Sequence, residues 1–398
     1  MPDLSGRVGA SRRAEIEWRP WVTGRKAVAM TSSDLWDAET AKQYDETAAF
    51  MFTPGIVFVG GSGSSDRDND GFFRPIRAHF VAAGVAVLTY DKRGVGASGG
   101  VWATATLEEL ASDAAAALGA LQREPAVAHS RTVLFGHSEG GWVALRATVA
   151  GAPVAGLILN SCPATPFLDA EMHALVIAGA DSQEAAEAVE FLRTLGEFAA
   201  GGAPIQIGER AVAEARQQRW FRALETAGFE LNHDMWSQAG VWCTYDPKPD
   251  LSRCTTPVLA TFGQRDPLVP VEASVREYQS TARSAGRAQQ IRVFAGRDHR
   301  LAVRGSNSPG SCYLRALTAW VECSIDASET PTRDADRNRS TTAGAAPHAS
   351  TEAARESRPN GTRPTSRNRL ATRSEASRTV GYHWPPKISC APRTSADE

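Results

Sequence analysis

The chain has 398 residues, 42% of them hydrophobic and 22% charged, which is ordinary globular usage with room for one large domain with additions, or for roughly two or three domains. A formal net charge of -2 excludes the field that would gather nucleic acid or anionic lipid, and no run approaches the roughly 18 apolar residues of a membrane span. The six cysteines (Cys162, Cys243, Cys254, Cys312, Cys323, Cys390) show neither CxxC pairs nor zinc-ligand spacing. Most of them read as small apolar residues in a reducing compartment, so the expectation is a cytoplasmic protein without structural metal.

Residues 1–54 carry only scattered apolar positions such as Ile16, Trp18 and Val22, and read as an extension that is in part disordered. Within it Leu35-Trp36-Asp37-Ala38-Glu39-Thr40-Ala41, with Tyr44-Asp45, resembles the opening of class I methyltransferases that use S-adenosylmethionine. The glycine-rich strand-to-helix turn and ribose-binding acid that such an enzyme needs do not follow, so methyl transfer is not supported.

From residue 55 the pattern changes to strand-then-helix alternation. Apolar runs at Gly55–Val59, Val85–Tyr90, Thr132–Phe135, Val154–Leu159, Pro257–Phe262 and Ile291–Phe294 predict buried strands of a mostly parallel sheet. In Thr106–Leu121, Leu107, Leu110, Ala114, Leu118 and Leu121 recur at helical spacing, a stripe that faces the core. The alternation breaks from Pro163 to Arg253, where a helical stretch holds Trp220, Phe221, Trp236 and Trp242. The expected organisation is an α/β core at 55–162 and 254–324, with a helical cap inserted at 163–253. From residue 325 to 398 the composition turns to Arg, Ser, Thr, Ala and Pro, with Leu370, Val380 and Ile388 as the only large aliphatic residues after Ile325. Such a segment cannot bury enough apolar surface to offset its chain entropy, and reads as a disordered tail.

The sharpest motif is Gly136-His137-Ser138-Glu139-Gly140-Gly141, between the strand Thr132–Phe135 and the helix-like Trp142–Val149. A nucleophile on a tight strand-to-helix turn needs small residues two positions before and two after it, as Gly136 and Gly140 are. The helix beyond turns its N-terminal N–H groups toward the site, which favours developing negative charge. A serine hydroxyl also needs a base, itself oriented by a third group. Pro257–Phe262 runs into Gly263-Gln264-Arg265-Asp266, and Ile291–Phe294 into Ala295-Gly296-Arg297-Asp298-His299. Asp266 and His299 are thereby placed in turns at the sheet edge where ligands of open α/β sheets bind. Asp298 is the competing acid, but adjacency to His299 makes side-chain pairing awkward. His137, His79, His129, His173 and His233 read as packing or surface histidines.

An acyl reaction needs two donors for its oxyanion. The Glu139 amide, just after the serine, is one candidate. The second falls in the glycine-rich loop Val59-Gly60-Gly61-Ser62-Gly63-Ser64-Ser65-Asp66-Arg67-Asp68, at the Ser62 amide, with Gly61 and Gly63 as alternatives. A phosphate cradle would end in GK[ST], and this loop does not.

Gly61-Ser62-Gly63 with Asp66-Arg67-Asp68, Asp91-Lys92-Arg93-Gly94 with Gly96 and Ser98, the Ser138 turn, and the Asp266 and His299 turns together resemble α/β-hydrolase esterases and acyl hydrolases, near the dienelactone-hydrolase and prolyl-peptidase-like branches. The resemblance spans about Gly55 to Val303. It implies an α/β-hydrolase fold with a helical cap and cleavage of a carboxylic ester or related acyl bond in a small-molecule substrate. Ser138, His299 and Asp266 would do the chemistry, with no cofactor and no metal. Thioesterase, peptidase and acyltransferase activities use the same machinery, and a non-catalytic binding protein on this fold is the alternative of another class. Asp91 and Arg93 resemble structural loop residues, read here as a buried ion pair. The chain departs from the family in having Gly60 where a histidine usually precedes the loop glycines, and in lacking the first one or two strands. Trp236 and Trp242 either line an acyl pocket or only pack the cap, and nothing in the sequence sets the oligomeric state or the acyl length.

Removing every residue after Ile325 should leave the melting temperature unchanged. A clear downward shift would show that the tail docks, with Tyr382 and Trp384 as the anchors to test.

Overall fold

The computed structural model describes residues 53–302 and 308–326. The extension at 1–54, with its methyltransferase-like stretch, and the tail at 325–398 lie outside the described residues, apart from Thr53 and Pro54 in the first strand and the end of the last helix. Six strands form one sheet: β1 (Thr53–Val59), β2 (Ala86–Thr89), β3 (Val127–His137), β4 (Gly156–Asn160), β5 (Val258–Gly263) and β6 (Gln289–Phe294). Their order is β2-β1-β3-β4-β5-β6, and every neighbouring pair is parallel. All residues of β4 and β5 are buried, which is why those strands read as continuous apolar runs.

Alternate residues serve opposite faces. Val57, Leu134, Leu157 and Val258 belong to one core, and Ile56, Phe58, Val133, Phe135, Ile158 and Leu259 to the other. The second face is covered by α1 (Phe73–Ala82), through Phe73, Ile76 and Phe80. The first is covered by α2 (Leu107–Gln122) and α3 (Glu139–Val149), through Leu110, Leu118, Trp142 and Leu145. Helix α2 starts with its apolar stripe at Leu107, one residue after the start of the predicted Thr106–Leu121, because Thr106 is its N-cap. The Thr106 hydroxyl accepts from the Glu109 amide (3.2 Å), and the Glu109 carboxylate accepts from the Thr106 amide (2.9 Å). Strand β3 is longer than the predicted Thr132–Phe135. Its first residues include exposed His129 and Ser130 and a register shift against β1, so no apolar pattern marks them.

Between β4 and β5 the chain leaves the sheet for α4 (Phe167–Ile177), α5 (Ser182–Ala200), α6 (Ile205–Ala215), α7 (Phe221–Thr226), α8 (His233–Trp242) and α9 (Lys248–Arg253). These helices have a core of their own, including Leu168, Leu192, Ile205, Phe221, Met235 and Trp236. The Trp236 indole donates to the Ala203 carbonyl (3.0 Å) and lies against Gly208, where a Cβ would collide with it. Trp242 turns to the sheet-side core, with its ring 5.5 Å from that of Trp142 and its Nε1 donating to Gln238 (2.6 Å). Both tryptophans stand in packed interiors. Helix α10 (Val271–Ala285) follows β5, and α11 (Ser311–Asp326) brings Tyr313 and Leu317 to the second face.

Trp236→Ala should therefore cost about 3–5 kcal/mol of stability in denaturant unfolding, with the order of preference among substrates unchanged. Preserved stability with an altered preference would make Trp236 a pocket wall.

Candidate active site

Strand β3 ends at His137 and α3 starts at Glu139, so one residue, Ser138, makes the whole turn. It does so at φ 54°, ψ −124°, a left-handed conformation that costs a non-glycine residue about 1–3 kcal/mol. The turn is so tight that a Cβ on Gly136 would meet the Gly140 carbonyl, and a Cβ on Gly140 would meet the carbonyls of Val59 and Gly60. The Ser138 amide is tied to the Asn160 carbonyl at 2.9 Å. Glu139, as the first residue of α3, has no intrahelical acceptor for its N–H.

Asp266 lies in the turn after β5. Its Oδ1 accepts from the amides of Leu268 (2.9 Å) and Val269 (3.0 Å), and its carboxylate meets His299 Nδ1 at 2.8 and 3.0 Å. The carboxylate is fully buried, while the His299 side chain keeps 15% exposure. With Nδ1–H donating to the carboxylate, Nε2 is left as the basic nitrogen on the far side of the ring. Asp298 closes its own turn instead, accepting from the amides of Arg300 and Ala302 (3.0 Å each). His299 reaches the elbow through His137, whose ring lies 4.9 Å from its own. Burial first, then the neighbouring charge of His299 and that of Arg300, hold His137 well below the ordinary imidazole range. His137 Nδ1 faces Asn160 Nδ2 at 2.9 Å, so its Nε2 carries the proton of the neutral ring.

The loop after β1 lies against the elbow, with a Cβ on Gly61 falling 3.6 Å from Ser138 Cβ. The Gly61 amide is already committed to Asn69 Oδ1 (3.2 Å), and its carbonyl accepts from Lys92 Nζ (2.6 Å) and Ser65 Oγ (2.9 Å). The amide of Ser62, which is exposed, donates to no group among the described residues. Gly63 sits at φ 77°, where glycine is favoured. Lys92 Nζ also donates to Glu139 Oε1 (2.9 Å).

Other residues fall out differently from the sequence reading. Asp91 and Arg93 do not pair with each other. Asp91 accepts from the amide and guanidinium of Arg67 (2.8 and 2.6 Å), which holds its carboxyl below the usual carboxylate range, while Arg93 pairs with Asp113 (2.7 Å) and Glu109 (3.1 Å). The two side chains leave the loop in different directions, so adjacency in sequence did not make contact. His79 bonds Thr318, and His129 is exposed. His173 of α4 comes within 3.3 Å of the Asp266 carbonyl, a link between the inserted helices and the acid turn that no local pattern announces. Asn69 and Lys92 also escaped the reading of the site. Their one signal was position, in the loop after β1 and in the Asp91-Lys92-Arg93-Gly94 run. Among the described residues no cluster of His, Cys, Asp and Glu could hold a metal, and no helix is long and apolar enough to cross a membrane.

No curated protein matches the chain. Among solved structures, similar ones include a thermophilic esterase from Thermogutta terrifontis (20% identity, 69% of this chain and 91% of that chain, TM-score 0.42). An esterase from Exiguobacterium antarcticum (18%, 69% and 93%, 0.43) and MenH from S. aureus (17%, 69% and 95%, 0.42) are others. The family model described as the alpha/beta hydrolase family matches residues 56–306, well over half of the sequence, and the chain belongs to that family.

Proposed function

We propose that the protein is a serine hydrolase that cleaves a carboxylic ester or related acyl bond of a small molecule through an acyl-enzyme intermediate. Ser138 Oγ attacks the acyl carbon as His299 Nε2 takes its proton. The tetrahedral oxyanion is held by the amides of Ser62 and Glu139. Collapse expels the leaving group with the proton from His299, and water repeats the sequence to release the acid. A fully buried carboxylate bonded to His299 Nδ1, at the same sheet edge as a serine held at positive φ, supports this most directly. Asp266 orients the ring and compensates its developing charge without itself accepting the proton. The Asp91-Lys92-Arg93-Gly94 run and Gly61-Ser62-Gly63 loop favour the dienelactone-hydrolase and prolyl-peptidase-like branches. We place the protein in the cytoplasm, because Cys162, Cys243, Cys254, Cys312 and Cys323 are all unpaired. Thioester, amide and acyl-transfer substrates suit the same geometry.

Labelling with a fluorophosphonate, which modifies an activated serine, tests the nucleophile, and p-nitrophenyl esters of graded acyl length test the reaction. Ser138→Ala and His299→Ala should each lower kcat/KM on the order of 10⁴–10⁶-fold. Melting should hardly change in Ser138→Ala, since alanine keeps the Ser138 backbone, and should fall in His299→Ala, which leaves the buried Asp266 carboxyl with the Leu268 and Val269 amides but without its side-chain partner. Retained labelling in Ser138→Ala would refute the assignment.

Ser138→Gly separates strain from chemistry. Glycine accepts φ 54° without the Cβ penalty, so this variant should be inactive and yet about 1 kcal/mol more stable than Ser138→Ala. Equal stability would show that the turn stores no strain.

A further inference from the structure

Lysine is seldom buried without a partner, and Lys92, just beyond β2, is 7% exposed. Its Nζ donates to the Gly61 carbonyl at 2.6 Å and to Glu139 Oε1 at 2.9 Å, and its own amide donates to the Ser65 carbonyl at 3.0 Å. These acceptors lie on the two segments that carry the proposed oxyanion donors. The carbonyl of Gly61 and the N–H of Ser62 are opposite ends of one planar trans peptide unit. A cation on the oxygen fixes the plane of that unit and draws electron density toward the oxygen, which makes the N–H at the other end a stronger donor. Asn69 holds the preceding amide and Ser65 Oγ shares the same carbonyl, so the peptide cannot rotate away. Glu139, whose backbone N–H is the other donor, supplies the counter-charge.

We propose, given the serine-hydrolase reading, that Lys92 is a positioning residue that orients and polarises the Gly61–Ser62 peptide as an oxyanion donor, with Glu139 anchoring it. Lys92 touches the far end of the peptide, so it acts on the transition state without touching substrate. Stability alone is a poor reason for this pair, because a buried ion pair is commonly no better than apolar side chains of the same volume.

The test uses the full chain, p-nitrophenyl acetate, and phenylboronic acid, whose serine adduct is tetrahedral and fills the oxyanion position. Lys92→Met alone leaves the Glu139 carboxylate buried and unpaired, so the decisive variant is Lys92→Met/Glu139→Gln, which removes both charges. It should melt near the wild type, lose on the order of 10²-fold in kcat with KM changed less than about twofold, and lose phenylboronic acid affinity in the same proportion as kcat. Glu139→Gln, which still accepts from Lys92, should lose less than about tenfold. Full kcat and boronate affinity in the double variant would reduce the pair to packing and overturn the proposal. So would a loss in Glu139→Gln as large as in the double variant, because the ion pair and not the Lys92–Gly61 bond would then be the cause. A wild-type protein that neither labels with fluorophosphonate nor hydrolyses esters would instead sink the serine-hydrolase reading, and this inference with it.

Discussion

The turn at Ser138 constrains everything around it. One residue at φ 54° reverses the chain from β3 into α3, and that is possible only where the helix can lie against the strand end and the β1 loop with no side chain between them. Gly136 and Gly140 leave that space, and Gly141 does the same toward Cys162. The strain is offset by how firmly α3 is held. Trp142 donates to the Pro163 carbonyl at 2.7 Å and packs on Phe167, Trp242 and Tyr245. Arg146 bonds Asp250 at 2.7 Å, tying α3 to α9. The inserted helices thus have a structural part in the elbow, whatever they contribute to substrate contact.

A parallel sheet gathers the loops that follow its strands at one edge, and here that edge is joined by polar groups beneath the surface. Asn160, the last residue of β4, faces His137 Nδ1, and its Oδ1 accepts from Thr261 Oγ1 and the Tyr313 hydroxyl, both at 2.8 Å. One buried amide therefore registers the ends of β3, β4 and β5 against α11. It also fixes the tautomer of His137, which presents a neutral ring beside His299. Burial, the largest cause, holds that ring well below the ordinary imidazole range.

How much of this could be read from sequence follows the range of each interaction. The buried strands and the α2 stripe show because apolar periodicity is local. Ser138, Asp266 and His299 stand out because each occupies a short turn after a recognisable strand, and the structure brings Asp266 and His299 into contact although it does so across 33 residues. Lys92 and Glu139 are 47 residues apart and belong to different motifs, so neither segment announces the other. Asp91 was misread for the opposite reason, since a neighbouring arginine suggested a partner while the strand ends deliver Arg67 from 24 residues away. Trp236 and Trp242 carried two readings that sequence could not separate. A large aromatic on an inserted helix looks the same whether it faces a cavity or a neighbouring helix, and only in the fold does Gly208 come to lie against Trp236 and Trp142 against Trp242.

Charge gives the arrangement its direction. Around the elbow, Lys92 meets Glu139, Arg67 meets Asp91 and Arg146 meets Asp250, each an acid opposite a lysine or an arginine. Asp266 differs, because its partner is a histidine, cationic only when protonated. Two backbone amides and the His299 Nδ1 surround the fully buried Asp266 carboxyl, and a buried carboxylate is costly unless it is paired and hydrogen-bonded. In the proposed mechanism a proton on His299 Nε2 completes the ion pair. The desolvation cost of Asp266 is thus met during folding, and the attraction it sets up is realised only when His299 takes a proton. In the proposed reaction that is the moment when negative charge also grows at the Ser62 and Glu139 amides, so both ends of the separating charge meet groups fixed in place beforehand, and little reorganisation is left for the transition state.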